Sequence, residues 1–370
     1  LGVYLALLTP LIYIPQTIFA AVFGKMIYFQ VVVELVLPFF LFLMIFYKEL
    51  RPKLDLLTKI ILLFFVAIFL SSLFGIDWDK SFWGYPSRMR GIFSLLHFLA
   101  LYFYIITCFR EEKNKKYLLF FVITVGLAVA FWGAIERLNP GFSIDKVSIK
   151  GSVGHRVIST TGNPIFLAGY MIFVSFISLY YFLKYKDISR WVGLFGFCLA
   201  ALVMLYTGTR GSFLGFGAGF FAFLSYLFFL SVKKQKIIIF SLMLAIAFLI
   251  TMIFVFDVRF LKKNKYWDFS RVADISLTRA GGSVGGRLLL WQTSFVAFKE
   301  KPFLGWGLEN FDYGFDKNYN PKFLRNGVNE TFADRAHNWF LDLLVMGGVI
   351  GLALYLLIFV YVAIKFFKKK

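Results

Sequence analysis

Cysteine is nearly absent: 370 residues hold two, Cys108 and Cys198, each inside an apolar run. That pattern argues against a disulfide framework and against a cysteine metal cluster, and it carries nothing on redox compartment. Charge is sparse as well. Only 16% of residues are Asp, Glu, Lys or Arg, against roughly a quarter in soluble domains. Acid is the scarcer sign, 20 residues against 40 Lys and Arg, for a formal charge of +20. In a soluble protein such an excess would suggest nucleic acid. Here no segment interleaves aromatic and basic residues as an RNA-binding module does, because the aromatics sit within apolar runs, and no nucleic-acid partner is expected. No solenoid-type repeat, low-complexity tract or soluble domain stands out. Histidine is rare too, with His97, His155 and His337 the full set.

What abounds is apolar surface. Sixty per cent of residues are apolar and 21% aromatic, with a mean hydropathy of +0.76. A water-soluble core cannot bury that much, whereas a bilayer can. Runs such as Ile60 to Phe74 and Gly211 to Leu230 contain almost no charge, and about 18 or more such residues can cross a membrane as a helix. Spans are expected at 2–22, 28–47, 56–75, 91–108, 117–137, 162–183, 190–207, 211–231, 236–256 and 336–365. The fold class that follows is all-α: a polytopic transmembrane helical bundle of about ten spans, a single membrane domain over 1–370.

The connections alternate in charge. Lys48, Arg51 and Lys53 lie in one; Arg110, Lys113, Lys115 and Lys116 in the next but one; then come Lys184, Lys186 and Arg190, then Lys233, Lys234 and Lys236, then Lys365 and Lys368 to Lys370. All fall on one side of a ten-span chain, which makes that side and both termini cytoplasmic. The opposite side holds Ile76 to Arg90, Leu138 to Thr161, the turn Gly208–Arg210 and a large loop, 257–335. That loop is too long for a simple connection. Within it, Leu288, Trp291, Phe295 and Phe298 recur at helical spacing, as in an amphipathic helix lying on the membrane or on the bundle. The chain opens on Leu1 inside an apolar run and ends just after a span, so it is expected to be a piece of a longer protein. The opening run reads as a span, not a cleaved signal.

Several polar residues are more than span boundaries. Arg210 stands between two apolar helices with almost no loop, either as a snorkelling anchor or as a functional cation, since an outward arginine gains nothing from the positive-inside bias. Gly211, Gly215 and Gly219 follow it at the spacing of close helix packing. The glycine-rich stretch 281–286, flanked by Arg279 and Arg287, reads as a hinge or as a phosphate cradle. It lacks the Gly-Lys-Ser/Thr of a nucleotide-binding loop. His337 is expected in the first turns of the last span, behind a capping signal from Thr331 and Asp334, with Asp334 on its helical face. Glu34 lies inside the second span and needs a partner; Arg210 and Arg88 are candidates. His97 reads as a bland histidine within its span, and His155 is ambiguous.

Five stretches together resemble the O-antigen ligase family of bacterial membrane glycosyltransferases, which also takes in O-antigen polymerases and protein O-oligosaccharyltransferases. They are Ser81-Phe82-Trp83-Gly84 with Arg88 and Gly91; Gly162-Asn163-Pro164 to Ala168; Thr209-Arg210-Gly211; Gly286-Arg287 through Trp291 to Pro302-Phe303-Leu304-Gly305-Trp306-Gly307; and His337-Asn338, followed after nine residues by Gly348-Val349-Ile350-Gly351. The last is the most specific. The likeness runs from about residue 75 to 360, with a family core at 160–360. The family often has Leu where Trp291 stands, and its members continue through further spans.

The resemblance implies a chemistry. A glycan on a polyprenyl diphosphate, such as undecaprenyl diphosphate, is transferred at the outer face of the bacterial cytoplasmic membrane to an acceptor hydroxyl on a glycan, a lipid A core or a protein. The setting is cell-envelope polysaccharide assembly, lipopolysaccharide included. His337 would act as general base; Arg210, Arg287 and Arg88 would bind the donor diphosphate; Asn338, Asp334, Asn163 and Glu34 would support them. No cofactor is implied, and no carboxylate cluster with metal-site spacing lies outside the spans, in keeping with metal-independent transfer. A glycolipid flippase or other transporter is the rival of a different class. It would place polar groups at mid-membrane in two related halves, whereas here they gather at one face. A receptor whose loop only binds would not need a titratable His337.

Overall fold

Apolar runs in lipid have no water to bond their backbone, so each must satisfy its own amides and carbonyls as helix. The computed structural model describes residues 1–17, 19–144, 156–232, 235–238, 240–244, 283–325 and 332–368. Among these, six helices are long and apolar enough to cross a membrane: α2 (Phe23–Phe46), α3 (Leu56–Leu73), α6 (Glu112–Leu138), α7 (Pro164–Lys184), α9 (Arg210–Leu230) and α13 (Trp339–Lys368). Shorter apolar helices accompany them. One runs over Gly2–Leu11 and contains α1 (Gly2–Leu7); α5 (Ile92–Cys108) and α8 (Arg190–Tyr206) follow; a further stretch is helical at 235–238 and 240–244. These are the ten places that the apolar runs predict. The remaining helices are α4 (Trp78–Trp83), α10 (Ser283–Glu300), α11 (Phe311–Lys317) and α12 (Lys322–Arg325). Large apolar side chains on α2 stay open, Leu35 at 66%, Phe39 at 74% and Ile45 at 64%. In water that surface would be an aggregation hazard; against acyl chains it needs no cover.

Two boundaries differ from expectation. The first run is helical only to Leu11, ending in a 3-10 turn, Thr9–Leu11, that carries Pro10. Proline has no amide to continue an α-helix and crowds the preceding turn. The last helix starts at Trp339, not 336. The end of the ninth expected span, Gly281 and Gly282 of the glycine-rich stretch, and His155, Arg279 and Thr331 lie outside the described residues; Ser283 to Gly286 form the first turn of α10.

The chain divides into two compact units. Unit 1 comprises Leu1–Phe29 and Cys108–Leu277. Its core is Val129 and Ala130 of α6, Leu167, Met171 and Val174 of α7, and Ala200, Val203 and Met204 of α8. Small residues let these helices close up. A Cβ on Gly193 would meet the Ser178 carbonyl at 2.7 Å, and one on Gly126 would meet Val174 at 2.6 Å, which is the usual reason for glycine between membrane helices. The glycines of α9 are less uniform than expected: Gly219 packs against Phe176, whereas Gly211 has open space around it.

Unit 2 comprises Gln30–Thr107 and Thr278–Lys370. Its two clusters centre on Ile68, Ile92 and Leu343 and on Leu290, Trp306, Phe311, Phe315 and Met346. Helix α10 forms where its apolar spacing predicts, but its buried face is Leu289, Leu290, Thr293, Ser294 and Ala297. Leu288, Trp291 and Phe295 of the expected apolar stripe are exposed, the outcome that a stripe facing the membrane, and not the bundle, would give. Both faces of this helix are apolar, so periodicity does not say which one is inside.

Candidate active site

The site in unit 2 is built around a broken helix. Gly348 has φ 64° and ψ −171°, so α13 is two helices joined at a kink. A break leaves amides and carbonyls without helical partners, which is tolerable at membrane depth only when protein supplies them. The segment Pro302 to Gly307 does so. Trp306 and Gly307 amides donate to the Val345 and Met346 carbonyls at 2.9 and 3.0 Å, and the Val349 amide donates to the Pro302 carbonyl at 2.8 Å. Ser71 of α3 adds a bond to the Met346 carbonyl at 2.6 Å. Two of the sequence stretches that carried the family resemblance are thus hydrogen-bonded to each other.

The loop before α11 and the turn after α4 meet beside this break. Lys80 reaches both carboxylate oxygens of Asp312, at 2.5 and 2.6 Å, and the Tyr85 hydroxyl donates to the same group at 2.7 Å. Burial, then the Asp312 bond, then the negative charges of Asp312, Asp334 and Glu309 push the Tyr85 phenol well above its ordinary range. Arg88 pairs with Asp334 at 2.7 Å. Arg335 and Glu309 form a buried ion pair, their side chains only 4% and 1% exposed. Arg90 has no bonded partner among the described residues. Desolvation and the like charges of Arg335 and Arg88 lower its proton affinity; since the side chain keeps open surface, the effect marks crowding and not neutralisation.

His337 follows two of these groups, Asp334 and Arg335, in the chain. It is exposed and holds φ 53°, while Met89 and Glu309 nearby in the cluster hold φ 48° and 64°. Non-glycine residues in left-handed backbone collect at functional sites, where surrounding structure enforces the strain. The histidine is not in the helix, as expected, but two residues ahead of it. Asn338 supplies the cap, its side-chain oxygen accepting the Phe340 amide at 3.1 Å. Asp334, expected as part of a capping signal on the helical face of His337, is engaged with Arg88 instead. Helix α10 joins from the side: the Trp291 indole donates to the Ala336 carbonyl at 3.1 Å. Arg287 is exposed one turn earlier on the same helix, on the face of Trp291. Unit 2 therefore gathers His337, Asn338, Asp334, Arg88 and Arg287.

Glu34 also belongs to unit 2, but its partner is neither arginine. It accepts from or shares a proton with His97 at 3.0 Å, while the other ring nitrogen of His97 faces the Phe93 carbonyl at 2.7 Å. With Gln30 bonded to Ser94 at 3.0 Å, the pair forms a polar ladder between α2 and α5.

Unit 1 holds the other two predicted residues. Asn163 caps α7, accepting the Ile165 amide at 2.8 Å. Thr209, the residue ahead of Arg210, bonds the Pro164 carbonyl at 3.3 Å, so the Asn163 and Arg210 stretches meet. Arg156 holds the turn from the far side, through the Thr207 carbonyl at 2.7 Å and the Thr209 hydroxyl at 2.9 Å. Arg210 itself opens α9, half-buried. Sequence reasoning missed Arg156 and Asp342. The signal for Asp342 was present, an acid within an apolar run, the same that singled out Glu34.

Residues 195–356, which contain Arg210, Arg287, His337 and Gly348, match the family model described as O-antigen ligase. The match supports the O-antigen ligase family. Members of that family act on lipid-linked glycans as ligases and polymerases, so the match supports a membrane glycosyltransferase role in polysaccharide assembly, with a lipid-linked glycan and a glycan acceptor as substrates. No curated protein and no solved structure gave a match.

Proposed function

We propose that this O-antigen ligase relative transfers a glycan from a polyprenyl-diphosphate donor to an acceptor hydroxyl at the outer face of the bacterial cytoplasmic membrane. The observation that carries the reading is His337: exposed, in strained backbone, beside a cluster of arginines, and followed by the Asn338 and Gly348 of the family's spacing inside the matched stretch. Diphosphate is already a good leaving group. The acceptor oxygen attacks the anomeric carbon as the carbon–oxygen bond to diphosphate breaks, the diphosphate leaves with the electron pair, and the acceptor proton passes to His337. Arg287 in unit 2 and Arg210 in unit 1 are each candidates for binding the donor diphosphate, a planar fork matching phosphate oxygens; neither has a bonded partner among the described residues. Arg88 assists, held by Asp334. Asn338 caps the helix that follows His337, Asn163 caps α7 in unit 1, and Glu34 ties α2 to α5. The alternation of basic loops supports the outward face.

The test is transfer by purified protein from a lipid-linked glycan to a panel of acceptors: core glycolipid, free glycan and protein. Transfer to core identifies a ligase, to glycan a polymerase, to protein an oligosaccharyltransferase. His337→Ala should lower the rate by about a hundred- to ten-thousand-fold. Arg210→Lys and Arg287→Lys should each weaken donor use, since Lys keeps charge and loses the fork. No transfer to any acceptor, or a folded His337→Ala protein with normal transfer, would overturn the reading.

A further inference from the structure

The backbone ahead of His337 is held on both sides. Asp342, buried in the first turn of α13, accepts the Ala336 amide at 2.6 Å. The Trp291 indole donates to the Ala336 carbonyl at 3.1 Å. These are the two peptide groups that precede the histidine, and Ala336 itself is fully buried. Asn338 fixes the residue that follows. Pinned between them, His337 keeps a left-handed φ of 53°, which costs a non-glycine residue about 1–2 kcal/mol, and its side chain stays in the open.

Asp342 does more than pin. It lies within electrostatic reach of His337, Arg335 and Arg88. The other charges in this cluster are Asp334 and Arg335 on the histidine's own segment, Arg88 and Arg90 from the turn after α4, and Glu309 from the loop before α11; Arg287 is on α10, one turn before Trp291. Asp334 is bound to Arg88 and Glu309 to Arg335. Of the three carboxylates, Asp342 alone has no cation bonded to it among the described residues. A buried carboxylate without a cation, beside an exposed imidazole, favours the imidazolium as it forms.

We propose that Asp342 is a positioning residue for His337: its carboxylate fixes the peptide ahead of the histidine and supplies the negative charge that stabilises the imidazolium made when His337 takes the acceptor proton. The inference rests on His337 being the general base. Asp342→Asn is the deciding variant. Its amide oxygen can still accept the Ala336 amide, so the pin remains and the charge goes. Transfer should fall by about tenfold or more, as with other orienting carboxylates behind a histidine base, with the KM for donor and acceptor little changed. A base works in its neutral form, and a nearby negative charge holds its proton. Removing that charge should therefore move the acid limb of the pH–rate profile to lower pH. Asp342→Glu, which restores the charge, should return the limb towards its original position.

Folded content and thermal stability are measured alongside. A rate loss that only tracks lost folding, with the limb unmoved, would reduce Asp342 to a structural cap and overturn the proposal. So would an Asp342→Asn protein with normal rate and normal limb. His337→Ala run in parallel separates the two readings. If it transfers normally, the base assignment and this inference both fall; if it is inactive while the Asp342→Asn limb stays put, only the inference falls.

Discussion

The amide of Trp306 donates to the carbonyl of Val345 at 2.9 Å, joining a loop to a helix that is interrupted three residues later. That bond explains why glycine stands at 348. A Cβ there would collide with the Phe303 carbonyl and lie 2.7 Å from the Leu304 nitrogen, and φ of 64° is strained for any side chain. Gly348→Ala should therefore destabilise the protein by roughly 3 kcal/mol or more, the sum of backbone strain and a forced shift of the loop. Gly351→Ala is the control: its Cβ would meet only side-chain tips, Ile68 at 3.3 Å and Leu343 at 3.9 Å. Thermal unfolding in detergent should separate the two, and equal stability would mean that the break is not sealed as described.

The buried pair of Arg335 and Glu309 should behave asymmetrically. Removing one partner leaves an uncompensated buried charge, typically worth about 3–5 kcal/mol, whereas replacing both by apolar groups can be nearly neutral. Glu309→Leu should thus be much less stable than Glu309→Leu with Arg335→Met. The comparison is a double-mutant cycle on unfolding midpoints; purely additive losses would show that the pair does not act as a unit.

The ten apolar segments were legible because length and charge alone decide whether a run can cross a membrane. His337, Arg210, Arg287 and Gly348 were legible as motif. The contacts that give them their setting were not, because hydrophobic period reports only on local structure. Glu34 bonds a histidine 63 residues away, not an arginine. Trp291, a departure from the family's Leu, turns out to donate to the carbonyl just ahead of His337. Helix α10 was found, but with apolar residues all round, its inner face could not be read.

Two helix caps predict an acid-sensitive stability. Asp77 caps α4, and its carboxyl is held below the usual range by the Lys80 amide first, then the Tyr313 hydroxyl and the Lys80 charge. Asp55 caps α3 and is lowered by the Thr58 amide, the Thr58 hydroxyl and Lys365. A depressed carboxyl stabilises the fold above its unfolded titration range and ceases to do so as pH falls through its folded one. Stability should therefore drop below about pH 4. Asp77→Asn keeps an acceptor for the cap and should flatten part of that slope; Asp77→Ala should cost about 1 kcal/mol near neutral pH. Unfolding midpoints between pH 3 and 7 check both, and an unchanged slope in Asp77→Asn would discount the cap.

The last prediction concerns sidedness, on which the proposed chemistry depends. Five basic connections fall on one side of the ten segments, so the loop that carries α11 should face outward. Lys317 is the probe position. It ends α11, its side chain is 63% exposed, and its ion pair with Glu300 lies at the surface; such a pair contributes little, so a cysteine there should not disturb folding. Cys108 and Cys198, both exposed on apolar helices, are first replaced by Ser. A membrane-impermeant maleimide should then label Lys317→Cys in intact cells whose outer barrier has been opened, while a cysteine at Lys53, in the first basic connection, should react only after the inner membrane is permeabilised. The reverse pattern would put the His337 face in the cytoplasm, where an outward-presented lipid-linked glycan cannot reach it, and would sink the transfer reaction as written.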